Sequence, residues 1–155
     1  TVLYGATSGT LLAAGQAGER FAVRNSGATA VIEGCDSNGC EYMTGGSIVI
    51  LGDVGDNFAA GMTGGMAFVY DPNNEFPKKA NPETIIWQTP ETEFWKNKLK
   101  ELVSKHYQET ASNVSKNILE NFDLEVNNFL QVCPKEMIDK LENPITNKSI
   151  VGKAS

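Results

Sequence analysis

Basic residues are almost absent from the first half of this 155-residue chain. Before Lys78 the only bases are Arg20 and Arg24. Residues 1–71 carry seven acids against these two arginines, a net charge of −5, whereas residues 72–155 carry twelve acids and eleven lysines, a net charge of −1. A surface of this kind repels a phosphate backbone, so the sequence predicts no nucleic-acid partner.

Long apolar runs are also lacking. No run approaches the ~20 residues that a membrane-spanning helix needs, and no signal-like segment opens the chain. The sequence therefore predicts no membrane partner. The three cysteines have no regular spacing, which argues against a disulfide framework and favours a reducing compartment such as the cytoplasm.

Candidate catalytic and metal-ligating residues are few. Cys35 and Cys40 have no third thiol nearby, a poor set for tetrahedral zinc or an iron–sulfur cluster, so we interpret them as small buried or loop thiols. His106 is the only histidine, and we interpret it as a packing or helix-end residue. No lysine accompanies the glycine-rich segments before Lys78, so no Walker loop is present. We predict no catalytic, cofactor-binding or metal-binding residue in this chain.

Glycine is scarce in the second half, since fourteen of the fifteen glycines precede Asp71. They belong to a segment that repeats four times, with an aromatic residue at each start and an apolar run after one glycine. The repeats are YGATSG-TLLAAG, FAVRNSG-ATAVIEG, YMTGG-SIVILG and FAAGMTGG-MAFVYD, anchored on Gly9, Gly27, Gly46 and Gly65 at spacings of 18, 19 and 19 residues.

A period near twenty residues is typical of stacked coils, because no single repeat can bury its own apolar side. The apolar runs have strand length. Stepping by six residues from Ile32 meets Asn38, Thr44, Ile50 and Asp56, which does not match the hexapeptide pattern of left-handed coils. We therefore predict a mainly β fold, a right-handed parallel β-helix with about four rungs visible, over residues 1–88.

The glycines are predicted to form the corners of these coils, where φ is often positive and the next coil leaves no room for a Cβ atom. The predicted corner glycines are Gly9, Gly15, Gly27, Gly34, Gly46, Gly52, Gly61 and Gly65. We interpret the aromatic series Tyr4, Phe21, Tyr42 and Phe58 as a stack between coils and not as a sugar-binding platform. Because the chain enters the repeat at once, we expect earlier coils to be missing, which would leave an open strand edge.

Residues 89–155 are predicted to form an α-helical C-terminal cap over the end of the stack. Thr84–Gln88 is a candidate further strand. Thr89 is the predicted N-cap of a helix that runs to about Thr110. Ser112 or Asn113 caps a second helix, residues 129–134 are extended, a short helix covers Lys135–Leu141, and the chain frays from Asn143 onward.

Three stretches carry a resemblance to a known family. They are AAGQAGERFAVRNSGATAVIEG (Ala13–Gly34), CEYMTGG (Cys40–Gly46) and NFAAGMTGGMAFVYD (Asn57–Asp71). They closely resemble the C-terminal glycine-rich (GXGXG) β-helix domain of the glutamate synthase large subunit. The resemblance covers almost the whole chain, since it continues through Asn81-Pro82-Glu83, His106 with Thr110, Ile118-Leu119-Glu120 and Val132-Cys133-Pro134.

The resemblance implies a structural domain packed against the other domains of a large oxidoreductase, with its small subunit as a further candidate partner. The full enzyme of the family converts glutamine and 2-oxoglutarate into two glutamates with FMN and an iron–sulfur cluster. These cofactors, like the family's chemistry, belong to other domains. The expected location is the cytoplasm, or the plastid stroma in a eukaryote.

One polar group is a candidate for contact with a neighbouring domain: Glu19, Arg20, Arg24 and Asn25. The planar guanidinium group of arginine is well suited to bind carboxylates across an interface. The alternative is an internal arginine–carboxylate ladder across coils, with Glu33 or Glu41. Asn25 is also a candidate for a left-handed turn position.

Two other function classes stay open at this stage. The chain could be an independent β-helix scaffold subunit of another oxidoreductase complex. It could also be a β-helix protein that acts on carbohydrates or transfers acyl groups. Such enzymes would require clustered carboxylates or a histidine within the coils. Here the coil carboxylates Glu33, Glu41, Asp53 and Asp56 are scattered among corners, and His106 follows the coils.

Overall fold

The computed structural model describes residues 5–146 of the chain. Their strands form one six-stranded sheet in the order β1-β2-β3-β4-β6-β5. The strands are β1 (Thr10–Leu12), β2 (Thr29–Ile32), β3 (Thr44–Ile50), β4 (Gly64–Tyr70), β5 (Ile85–Gln88) and β6 (Phe129–Pro134). β1 to β4 are parallel neighbours in chain order, whereas β6 is antiparallel to both β4 and β5. The result is a mainly β, solenoid-like arrangement of about three turns.

Hydrogen bonds between successive coils continue outside the strands. Ala17 N donates to Gly34 O at 2.9 Å, and Cys35 N donates to Asp53 O at 2.8 Å. On the far side of the coils, Cys40 N donates to Phe21 O at 2.7 Å and Ala59 N to Gly39 O at 2.8 Å. The coils are therefore joined around their perimeter, and the backbone groups of the connecting segments find partners without belonging to strands.

The strands bury both faces, which explains their uninterrupted apolar sequences. Ile32, Ile50 and Val69 are in register and belong to the core enclosed by the coils. Val31, Val49 and Phe68 form the adjacent column and belong to a second core on the other face of the sheet. Alternation along each strand therefore divides one apolar run between two cores.

The second core lies between the sheet and the helices. Helix α1 (Phe76–Lys79) follows β4, and α2 (Glu93–Thr110), α3 (Asn113–Glu120) and α4 (Phe122–Glu125) precede β6. Single 3₁₀ turns lie before β6 at Val126–Asn128 and after it at Lys135–Met137. Leu99 and Val103 of α2 pack in the cluster that holds Val31, Val49 and Phe68. The long helices therefore lie along the flank of the coils, while β6 pairs with the edge of the last parallel strand.

Several predicted boundaries were wrong. Helix α2 begins at Glu93 with Thr92 as its N-cap, not Thr89, because Thr92 Oγ1 accepts from Trp95 N at 3.5 Å. The predicted helix over Lys135–Leu141 is reduced to the 3₁₀ turn. The strand predicted at Thr84–Gln88 is present over Ile85–Gln88, and the Ser112 N-cap is confirmed.

The segment 143–146 does not fray as predicted. Ile145 is buried in the second core. Its carbonyl accepts from Gln88 Nε2 at 2.8 Å, and the carbonyl of Asn143 accepts from Trp95 Nε1 at 2.9 Å. One apolar side chain and two backbone acceptors hold this segment across the sheet and α2. The rest of the predicted fraying falls on residues 147–155, outside the described part of the chain.

The strand register corrects the alignment on glycines. Thr10 pairs with Thr29, Thr29 with Ser47, and Ser47 with Met66, so the coil spacings are 19, 18 and 19 residues. Gly9 therefore lies opposite Ala28, one residue beyond Gly27. The predicted corner glycines Gly9, Gly15, Gly46, Gly61 and Gly65 have positive φ, whereas Gly27, Gly34 and Gly52 do not.

Gly27 belongs to a different column, in which each glycine lies against a carbonyl of the preceding coil. A Cβ atom on Gly27 would lie 2.2 Å from Thr7 O, one on Gly45 2.3 Å from Ser26 O, and one on Gly64 2.0 Å from Thr44 O. These distances are shorter than any real contact, so the spacing of the coils requires a hydrogen atom at this position.

A buried polar network connects the helices to the coils. His106 is fully buried, and its Nε2 lies 2.7 Å from the carbonyl oxygen of Ala13. Because that oxygen can only accept, Nε2 carries a proton, and in the neutral imidazole Nδ1 accepts from the hydroxyl of Ser115. Ser112 donates to Glu33, whose other oxygen accepts from Gly15 N at 2.8 Å. His106 therefore has the packing role that the sequence indicated.

The glycine column gives a stability prediction. We expect Gly64→Ala to lower the free energy of unfolding by about 1–3 kcal/mol, because the added methyl must displace the Thr44 carbonyl. The control is Gly18→Ala, where no atom lies within 4 Å of the added Cβ. Urea denaturation of both variants measures the difference, and equal stabilities would contradict the close stacking.

The polar network around His106 gives a second prediction about stability. His106→Ala leaves the Ala13 carbonyl and the Ser115 hydroxyl without their partner and opens a cavity. We expect a loss of about 2–4 kcal/mol in the free energy of unfolding. Gln108→Ala, on the exposed side of the same helix, should change it by less than about 0.5 kcal/mol. A His106→Ala variant as stable as Gln108→Ala would show that the network does not hold the helices.

Candidate interaction surface

The backbone has a recurring pattern of positive φ at the same position of three successive coils. Every second residue there has positive φ, with values between 55° and 69°. The three sets are Arg20, Ala22 and Arg24; Asn38, Cys40 and Tyr42; and Asn57, Ala59 and Gly61. Because eight of these nine residues carry a Cβ atom, each set costs conformational energy, on the order of 1–2 kcal/mol per residue. Hydrogen bonds between the coils must offset that cost.

Arg20 and Arg24 belong to the first of these sets, and their side chains are exposed. Their backbones are fixed, since Arg20 N donates to Ser37 O at 3.0 Å and Arg24 N donates to Glu41 O at 2.9 Å in the next coil. Asn38 and Tyr42 occupy the equivalent positions of that coil, 18 residues further along the chain. We call Arg20, Arg24, Asn38 and Tyr42 the arginine face. These four residues line one shallow surface depression together with Val23 and Glu41.

The internal arginine–carboxylate ladder is not present. Within residues 5–146, no ion pair of 4.0 Å or less involves Arg20 or Arg24, and the recorded pairs are Lys78–Glu75 and Lys105–Glu101. Glu33 accepts instead from Gly15 N and Ser112. Both arginines of the face therefore present their guanidinium groups to solvent.

The other two residues of the predicted contact group differ from each other. Glu19 is exposed beside Arg20, whereas Asn25 is fully buried. Asn25 Nδ2 donates to Ala28 O at 3.1 Å, and its Oδ1 accepts from Ala28 N at 3.0 Å. It does not have the left-handed conformation that we predicted. Its side chain instead closes the turn that leads into β2.

Tyr42 was missed as a surface residue because the sequence placed it in an aromatic stack. Phe21 and Phe58 are fully buried, whereas Tyr42 is 54% exposed. The coil spacing aligns Gly39, not Tyr42, with the two phenylalanines, and a Cβ on Gly39 would lie 3.2 Å from the Phe58 ring. Tyr4, the fourth member of the series, lies outside the described residues. The Tyr42 ring covers Gly61, where an added Cβ would lie 2.5 Å from it.

The thiols are buried and favour the protonated form. Burial, with the neighbouring Asp36 charge, raises the pKa of Cys35 to about 12, and burial raises that of Cys133 to about 11. Burial also raises the pKa of Cys40 well above its ordinary value. Among residues 5–146 no three His, Cys, Asp or Glu side chains are grouped to hold a metal ion. Burial of the three cysteines therefore opposes the thiolate form that a nucleophile requires.

One tyrosine also has a perturbed pKa. Tyr70 donates to Glu125, whose other oxygen accepts from Asn128 Nδ2 at 3.1 Å. Burial first, then the hydrogen bond and charge of Glu125, raise the Tyr70 pKa to about 12. The pair joins the end of β4 to the end of α4 and so supports the same contact between helices and sheet.

In the part of the chain that the structure describes, no helix is both long enough and apolar enough to cross a bilayer.

Comparison with known proteins shows which family this chain belongs to. A family model described as "GXGXG motif" matches residues 1–135. The chain is 61% identical over 145 residues to the glutamate synthase [NADPH] large chain of Azospirillum brasilense, covering 94% of this chain and 10% of that protein. It is 47% identical over 150 residues to the glutamate synthase [NADH] of Schizosaccharomyces pombe, covering 94% of this chain and 7% of that protein.

A plant relative extends the range. The chain is 46% identical over 142 residues to the chloroplastic ferredoxin-dependent glutamate synthase 2 of Arabidopsis thaliana, covering 92% of this chain and 9% of that protein. The chain therefore spans about a tenth or less of the length of these relatives.

The buried thiols and Tyr70 predict an alkaline loss of stability. The ordinary pKa is 9.0 for the cysteines and 10.0 for Tyr70. The folded-state values are higher, so the protonated groups stabilise the fold at and below pH 9. That stabilisation is lost as the pH rises from about 9 to about 12.

The measurement is the free energy of unfolding by urea between pH 8 and pH 11.5. Tyr70→Phe should flatten the decrease above about pH 10, and Cys133→Ala should flatten it from about pH 9. A decrease unchanged by either substitution would contradict the assignment of these groups.

Proposed function

Because this chain belongs to the GXGXG motif family, we propose that it is a non-catalytic structural segment of a glutamate synthase large chain. The observation that carries the proposal is the family match over residues 1–135, together with 61% identity to a bacterial large chain. The match includes the coils and most of the helical part, so it concerns the whole architecture and not one motif.

The proposed architecture is a right-handed β-helix of about four rungs, over residues 1–88, closed by residues 89–155. The parallel neighbours β1 to β4 support it, because crossovers between parallel strands of one sheet are right-handed in nearly all proteins. β6 supports the closing role, since it pairs antiparallel with β4, the last parallel strand. Such a stack is a rigid body suited to hold other domains apart at fixed positions.

The absence of a catalytic role is supported by what the polar side chains already do. His106 and Ser115 bond each other, and His106 also bonds the Ala13 backbone. Glu33 closes a coil corner, and Asp71 accepts from Glu75 N at 2.9 Å and Phe76 N at 3.0 Å. These groups hold the backbone together, and the buried His106–Ser115 pair leaves no space for a substrate.

The cofactors are proposed to lie elsewhere in the large chain. The reaction assigned to the full enzyme, formation of two glutamates from glutamine and 2-oxoglutarate, requires FMN and an iron–sulfur cluster. The described residues do not fit such a cluster, because no three of their His, Cys, Asp or Glu side chains are grouped to hold a metal ion. Relatives named for NADPH, NADH and ferredoxin share 46–61% identity with this segment. That similarity supports a role that does not depend on the electron donor.

The proposed partners are the other domains of the large chain and its small subunit. The arginine face and Glu19 are the proposed contact residues, and Asn25 supports the turn behind them. The proposed location is the cytoplasm of a bacterium, or the plastid stroma if the source is a eukaryote.

A chimeric enzyme tests the proposal. The matching region of the Azospirillum brasilense large chain is replaced by this segment, or deleted, and glutamate formation is measured. We expect the chimera to retain activity and the deletion to lose it, because the catalytic domains lose their support. The isolated 155-residue chain should hydrolyse no glutamine. Turnover by the isolated chain, or full activity of the deletion, would refute the structural role.

A further inference from the structure

We propose that the arginine face binds a carboxylate-bearing segment from elsewhere in the large chain, through Arg20 and Arg24. This inference rests on the proposed function, which supplies the partner. It adds the chemistry of the contact: two guanidinium groups bonded to Asp or Glu side chains, beside an apolar contact on Tyr42.

The first argument is charge. Arg20 and Arg24 are the only bases before Lys78, in a half with a net charge of −5 over residues 1–71. Both side chains are exposed, and neither is paired with a carboxylate within residues 5–146. Glu41 lines the same depression without forming an ion pair with them. The guanidinium forks are thus available for bidentate bonds to external carboxylates.

The second argument is position. Arg20 and Arg24 flank buried Ala22 on one coil, and Asn38 and Tyr42 follow at the same places on the next. The four side chains therefore form two adjacent rows, and all four can donate a hydrogen bond. An amide and a phenol beside two guanidinium groups match the oxygen atoms of an acidic segment.

The third argument is rigidity. The left-handed backbone at Arg20 and Arg24 is held by bonds to Ser37 O and Glu41 O of the next coil. The Tyr42 ring covers Gly61, so it occupies a defined place although it is 54% exposed. Binding would order little of this backbone, which lowers its entropic cost.

The surroundings favour a peptide over a polyanion. Glu19, Asp36 and Glu41 lie on or beside the face and would repel a run of phosphates. A peptide with one or two carboxylates next to an apolar side chain matches two arginines and an exposed ring. The relatives are about ten times longer than this chain, so most of the enzyme lies outside the segment and can supply that peptide.

The experiment uses the full-length chimera described above. Arg20→Lys with Arg24→Lys keeps the charge and introduces amines that a carbodiimide can couple directly to a carboxylate in contact. We expect the introduced lysines to couple to Asp or Glu residues outside the segment. Coupling restricted to Glu19 or Glu41 of the segment, or no coupling, would overturn the proposal.

A charge reversal gives an independent readout. Arg20→Glu with Arg24→Glu should accelerate amide hydrogen exchange of residues 19–25 and 37–43 in the chimera by roughly tenfold, because the partner no longer covers them. Lys116→Glu with Lys140→Glu makes the same charge change on an exposed lysine of α3 and an exposed lysine of the turn after Met137, and it should leave that exchange unaltered. Glu41→Gln should also leave it unaltered, since no internal pair with Glu41 holds the arginines.

The outcomes separate the two proposals. Unchanged exchange after the arginine reversal, in a chimera that still depends on the segment for activity, would overturn the arginine contact alone. Full activity of the segment-deleted enzyme would overturn the structural role, whatever the arginines do. Inorganic phosphate is also added to the charge-preserving variant and to the unsubstituted chimera. If it slows amide hydrogen exchange of residues 19–25 and 37–43 equally in both, the face is a general anion site and the peptide contact is overturned.

Discussion

The close stacking of coils against one another determines most of this structure. Each coil lies so near the preceding one that a Cβ atom on Gly27, Gly45 or Gly64 would touch a backbone oxygen at 2.0–2.3 Å. That distance lets backbone groups pair between coils even where no strand exists, as from Cys40 N to Phe21 O. A solenoid gains its stability from such nearest-neighbour contacts, because one coil has almost no interior of its own.

The same stacking explains the unusual backbone beneath the arginine face. A positive φ at every second residue would be unfavourable for an isolated peptide of alanine, cysteine and arginine. Here the conformation recurs at the same place on three coils, and on the first two of them the amides at its outer positions donate to carbonyl oxygens of the next coil. Hydrogen bonds to the neighbouring coil offset the conformational cost of each coil, so this backbone conformation requires stacked coils.

The helices depend on the coils in a different way. They cover the outer face of the sheet, where Val31, Val49 and Phe68 form a column. His106, Ser112 and Ser115 then fix their position through polar contacts that end on Ala13, Gly15 and Glu33 of the coils. Burial of apolar side chains holds the helices against the sheet. The polar network fixes where along the coils they lie, since each buried polar group must find its partner.

The sequence by itself determined the repeat, the parallel strands and the family resemblance, because glycines and apolar runs recur at a period that only stacking can satisfy. It also indicated that His106 packs and that Arg20 and Arg24 are unusual. Tertiary structure decided the register of the second coil, where Ala28 and not Gly27 lies opposite Gly9. It also decided that Tyr42 is exposed while Phe21 and Phe58 are buried, and that Ile145 is held in the core. These outcomes depend on which residues of different coils lie opposite each other. A shift of one residue changes those pairings without changing the local pattern that a sequence shows.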